Sequence, residues 1–237
     1  MRKYFAEFFG TALLLIFTTT ALIYTQTFQT GNLFDAMGLF GLTLAVLMFI
    51  FGPMAHGGHF NPAVSLGAAI NKDITWKEFG AYILSQLLGA LAGLGLAVIT
   101  LVPVINSQAS SSSSSSSSVK ASQVLTTLEP SATVTSLQVG LAVEFFFTFL
   151  FVLITLLALK KHAKQAPAIM GMTFAVVSYV AYPLTAGLVN PARALAPAFF
   201  NLSSTSVHLW FFLIVEIIAG ALAGLVMKYL APKPIEE

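Results

Sequence analysis

Six stretches of the chain are long, apolar and almost without charge: residues 4–25, 36–55, 79–101, 137–159, 167–184 and 207–230. A hydrocarbon layer about 30 Å thick is crossed by roughly 20 apolar residues in helix. Backbone N–H and C=O groups find no water there, so each stretch must satisfy them internally as a helix. The pattern predicts an all-α membrane protein with six transmembrane helices. Met1-Arg2-Lys3 ahead of an apolar run also resembles a secretory signal, but the run from Tyr4 to Thr25 is too long for one and contains Glu7. It is read as the first span.

The polar positions between the stretches give an orientation. Arg2, Lys3, Lys72, Lys77, Lys160, Lys161, Lys164, Lys228 and Lys233 all fall on one side of a six-span chain. The other side keeps Lys120, with Arg193 a separate case. Lysine and arginine concentrate in cytoplasmic loops, so both termini are expected in the cytoplasm. The unbroken serines Ser110 to Ser118 have nothing to bury, and 102–136 reads as a Ser-rich, flexible extracellular linker.

That linker separates two similar halves, 1–101 and 137–237. Ala6-Glu7-Phe8-Phe9-Gly10-Thr11 is echoed by Val143-Glu144-Phe145-Phe146-Phe147-Thr148. Gln86-Leu87-Leu88-Gly89-Ala90-Leu91-Ala92-Gly93 is echoed by Glu216-Ile217-Ile218-Ala219-Gly220-Ala221-Leu222-Ala223-Gly224. Asn61-Pro62-Ala63 is echoed by Asn190-Pro191-Ala192, so three features recur in order at offsets of 137, 130 and 129 residues. Each half holds three spans, an odd number, so the second enters the membrane from the opposite face, an inverted 3+3 repeat. Such repeats place solute sites near the bilayer midplane on interrupted helices.

The Asn-Pro-Ala segments have the chemistry of a helix start: asparagine caps, and proline tolerates the first turn because its missing N–H would be unbonded there. The apolar runs that follow, Ala63 to Ile70 and Ala192 to Phe200, are too short to span. Non-helical backbone at membrane depth survives only where it lines a cavity or is buried in protein. Two re-entrant half-helices are therefore expected, meeting by their N-termini. Their dipole ends raise the potential at the centre. A water oriented by both asparagine amides has its lone pairs engaged, which disfavours protons and cations while neutral hydrogen-bonding solutes pass.

Composition narrows the remaining choices. Only 8% of the 237 residues are charged, and there is no cysteine, so thiolate chemistry is excluded. The four histidines (His56, His59, His162, His208) form no i, i+4 pair, and no metal or cofactor is expected. A net charge of +2 gives no reason to expect a nucleic-acid partner. No acid, base and nucleophile converge, which argues against an enzyme.

His59-Phe60-Asn61-Pro62-Ala63-Val64 and Asn190-Pro191-Ala192-Arg193, with Glu7 and Glu144, resemble the aquaporin (major intrinsic protein) family over nearly the whole chain. The resemblance implies six helices plus two half-helices, one pore per subunit and a homotetramer; the short tail from Pro232 to Glu237 and the lack of a cleavable signal fit an expected setting in a plasma or bacterial inner membrane. It implies that Glu7 and Glu144 accept loop N–H groups and that Arg193 guards the outer mouth; His59 either lines the cytoplasmic approach, as the resemblance implies, or hydrogen-bonds a loop carbonyl. The narrowest point is expected at Phe40, Ser178, Gly187 and Arg193, with Gly41 the alternative to Phe40. Ala194 after the arginine resembles a water channel, whereas Ser178 replaces the bulky residue such channels carry. Water and small neutral solutes such as glycerol, urea or hydrogen peroxide are the expected cargo. The competing readings are a strictly water-selective channel and a proton-coupled secondary transporter using Glu7, Glu144 or Glu216.

Overall fold

A computed structural model of the chain describes residues 1–111, 120–126, 128, 136–200 and 206–230. Most of the serine run, the Asn201-Leu202-Ser203 glycosylation-like sequence and Lys233 lie outside the described residues. The elements are α1 (Arg2–Thr27), α2 (Leu33–Phe51), a 3₁₀ turn (Gly52–Met54), α3 (Pro62–Ile70), α4 (Trp76–Ser111), α5 (Ala121–Thr126), α6 (Leu137–Lys161), α7 (Ala166–Thr185), α8 (Pro191–Phe200) and α9 (Ser206–Leu230). There is no strand among the described residues. Six helices, α1, α2, α4, α6, α7 and α9, are long and apolar enough to cross a membrane.

Local chemistry sets several of the boundaries. The Asn32 side chain caps α2 by accepting the N–H groups of Phe34 and Asp35, and the Asp35 carboxylate in turn accepts the Asn32 N–H. Ser136 accepts from Val139 at the start of α6, and Pro167 occupies the first turn of α7.

The third span departs from expectation. It was expected to end near 101, with a linker over 102–136, yet α4 continues to Ser111 with Pro103 inside it. Leu101 and Ile105, four residues apart on one helix face, are buried with Ile23 of α1 and Ala97, and this apolar contact carries the helix onward. At 1.5 Å per residue its 36 residues reach about 54 Å, well beyond the hydrocarbon layer. Inside the expected linker, α5 also brings Leu125 into the core.

The two halves interlock. α1 packs along α4, and α6 along α9, while α2 and α7 cross between the halves. Glycine allows the closest approaches: a methyl group on Gly93 would sit 2.2 Å from the Ala12 carbonyl oxygen, and one on Gly41 2.3 Å from that of Gly171. α3 packs on α6 and α9 of the other half, and a Cβ at Gly220 would lie 2.6 Å from the Ala63 carbonyl oxygen. α8 in turn touches α4. Each short helix is therefore held by the opposite half.

Candidate functional site

The two short helices meet at their capped ends. Asn61 is in extended backbone, and its Oδ1 accepts the Ala63 N–H at 2.8 Å. The Oδ1 of Asn190 accepts the Ala192 N–H at 2.9 Å. Each side chain then reaches across: Asn61 Nδ2 donates to the Val189 carbonyl, and Asn190 Nδ2 to the Phe60 carbonyl, both at 2.9 Å. An amide –NH₂ carries two hydrogens, so each asparagine keeps one donor beyond this exchange.

The exchange depends on strained backbone. Phe60 and Val189 precede the two asparagines, and both are left-handed, with φ 48° and 52°. For a bulky or β-branched residue that conformation is costly and persists only where its surroundings impose it. Here these residues turn their carbonyls to the asparagine of the other half. The resulting bonds are symmetric between the halves.

Buried carboxylates hold the loops in place. Glu7 accepts the N–H groups of His59 and Phe60, each at 2.8 Å, and Gln86 Nε2 at 2.7 Å. Glu144 accepts those of Leu188 and Val189, each at 2.9 Å, and the Thr185 hydroxyl. Glu216 accepts the next amide in line, that of Asn190, at 2.9 Å. These loops have no ladder of their own, and buried amides without partners would cost about 1–3 kcal/mol each.

His59 is buried, with Nδ1 3.0 Å from Ser65 Oγ and its ring edge-on to Tyr82. With His56, Asp73 and Lys160 it borders a cavity of about 180 Å³ at the lysine-rich end of the molecule.

Arg193, three residues after Asn190 in the first turn of α8, is 6% exposed. Its Nη1 donates to the Gly187 and Leu188 carbonyls, both at 2.7 Å. Its guanidinium carbon lies 4.9 Å from the centre of the Phe40 ring and 5.5 Å from that of Phe174. Carbonyl dipoles and ring faces surround the charge, without an ion pair to any carboxylate among the described residues. Gly41 faces α7 at Gly171, so of the two candidates on α2 it is Phe40 that meets the arginine. Gly187 has φ 56°, and a Cβ there would lie 2.8 Å from the Ser178 carbonyl oxygen. Ser178 is buried, with no hydrogen-bond partner for its hydroxyl among the described residues.

Phe174 was not among the expected residues. Counting back from Asn190 reached Ser178, and Phe174 lies one helical turn before it on the same face of α7. That four-residue spacing was the available signal.

Comparison with known proteins decides the kinship. The description "MIP: Major intrinsic protein" matches residues 1–227. The chain belongs to the major intrinsic protein family. It is a multi-pass membrane channel of the aquaporin and glycerol-facilitator type and not an enzyme. Among its relatives, "Glycerol uptake facilitator protein-like 6" of Lactiplantibacillus plantarum is 33% identical over 230 residues, 94% of this chain and 95% of that one. "Aquaporin Z" of Photorhabdus laumondii is 29% identical over 234 residues, 97% of each chain. The X-ray structure of the aquaglyceroporin from Plasmodium falciparum shares the MIP fold with a TM-score of 0.77 at 19% identity, covering 97% of this chain and 99% of that one.

Proposed function

We propose that this channel conducts water and small neutral solutes such as glycerol, urea or hydrogen peroxide, passively, and excludes protons and ions. The observation that carries the reading is the exchange of hydrogen bonds between Asn61 and Asn190 at the meeting ends of α3 and α8. Each amide retains one N–H donor. An oxygen passing between them accepts from both, and a water so held has no lone pair for an incoming proton. The dipoles of α3 and α8 add a positive potential at the same point, and the Arg193 charge repels cations before they reach it.

In this reading α3 and α8 are re-entrant half-helices and Phe40, Ser178, Gly187 and Arg193 form the selectivity filter. His59 lies on the cytoplasmic approach, while Glu7 and Glu144 brace the loops. The half-repeats 1–101 and 137–237 are joined outside the cell through 102–136, and both termini are cytoplasmic. The setting is a plasma or bacterial inner membrane and the assembly a homotetramer.

Stopped-flow light scattering on proteoliposomes tests the solute range. Fast shrinkage in hypertonic sucrose and fast re-swelling in glycerol, both well above protein-free vesicles, are expected. Fast shrinkage with re-swelling no faster than in protein-free vesicles would restrict the cargo to water. Solute accumulation against its gradient after a pH step would instead indicate a proton-coupled transporter.

A further inference from the structure

The Arg193 guanidinium is flanked by two rings, and only Phe40 stands at an expected filter position. Phe174 of α7 stacks on Phe40 with centroids 5.8 Å apart and planes at 26°. Both rings are buried, at 0% and 2% exposure. Phe151 of α6 backs Phe174 at 5.6 Å, which fixes the ring from behind. One turn further along α7, Ser178 offers little bulk, and the Gly187 backbone lies directly against it. The large side chain on this wall therefore comes from Phe174.

We propose that Phe174 is a specificity-determining residue of this channel, its ring setting with Phe40 the largest neutral solute that passes Arg193. The inference rests on the reading of this neighbourhood as the constriction. The arrangement has an apolar side, the two rings, and a polar side, the guanidinium N–H groups not engaged by the Gly187 and Leu188 carbonyls. It suits slender molecules with hydroxyl or amide groups along one edge and carbon along the other, such as short linear polyols and urea. A longer or branched polyol meets the rings. Replacing Phe174 with a smaller apolar residue removes that obstacle without touching the donors.

The test uses the full chain in proteoliposomes and compares water, glycerol and erythritol permeabilities for wild type, Phe174→Val, Phe174→Leu and Val177→Ala. Val177 is a buried neighbour on the same helix and controls for general loosening of the core. The two Phe174 variants are expected to raise the erythritol-to-water ratio about tenfold, the scale on which apolar pockets discriminate by size. Val177→Ala is expected to leave the ratio within about twofold, because the rings against the guanidinium, Phe40 and Phe174, both remain. Both Phe174 variants leaving the ratio unchanged, or Val177→Ala shifting it equally, would overturn the proposal. If wild type conducts water but the Phe174 variants are silent, only this inference falls. If wild type moves neither water nor solute faster than protein-free vesicles, the channel reading falls with it.

Discussion

Glu216 is the residue at which the two halves differ most in chemistry. In the first half Gln86 donates to the Glu7 carboxylate and to Ser65 Oγ. In the second half the corresponding residue is an acid, which accepts from Asn190 through Oε1 and leaves Oε2 without a partner among the described residues. A glutamine would keep an oxygen for the Asn190 N–H and add a donor like that of Gln86. Glu216→Gln is therefore expected to fold and conduct water within about twofold of wild type, whereas Glu216→Leu orphans the Asn190 amide at a cost of about 1–3 kcal/mol. Melting in detergent distinguishes the two, and equal melting temperatures would show that the amide does not need the acceptor. The sequence placed Glu7 and Glu144 as loop acceptors through their motif, but it left Glu216 open because Gln86 occupies the matching place. Phe174 escaped for a related reason. Motif spacing counts residues to a position, whereas the arginine meets whichever ring the helix turns toward it.

At the scale of helices, packing is governed by where a side chain is impossible. A Cβ on Gly93 would sit 2.2 Å from a backbone carbonyl that cannot yield, whereas one on Gly80 meets nothing within 4 Å. Gly93→Val is expected to destabilise the fold by at least about 1–3 kcal/mol through overpacking. Gly80→Ala is expected to stabilise α4 by up to about 1 kcal/mol through helix propensity. Thermal melting of both in detergent checks the pair, and a Gly93→Val protein as stable as wild type would mean that α1 and α4 can separate freely. The six long helices were legible because bilayer thickness imposes a length on any apolar segment. The short helices were legible because Asn-Pro both starts a helix and breaks the one before. The end of α4 was not, since Pro103 and the serines read as a stop while the burial of Leu101 and Ile105 against α1 is a tertiary fact.

At the scale of the whole molecule, the two halves matter because neither completes the centre alone. Phe60 of the first half supplies the acceptor for Asn190, and Val189 of the second supplies that for Asn61. The left-handed backbone at both residues is maintained by this mutual hold and by the carboxylates beneath it. The recurring motifs are visible in the sequence, but the hydrogen-bond exchange between them is not, since it depends on residues 128 and 130 positions apart. Water is expected to cross this centre while protons do not. This is tested most directly by measuring water flux and proton leak on the same proteoliposomes, loaded with a pH-sensitive dye. Water permeability well above that of protein-free vesicles, with a proton leak equal to theirs, is the expected result. A leak that rises with protein content, in step with water flux, would contradict it.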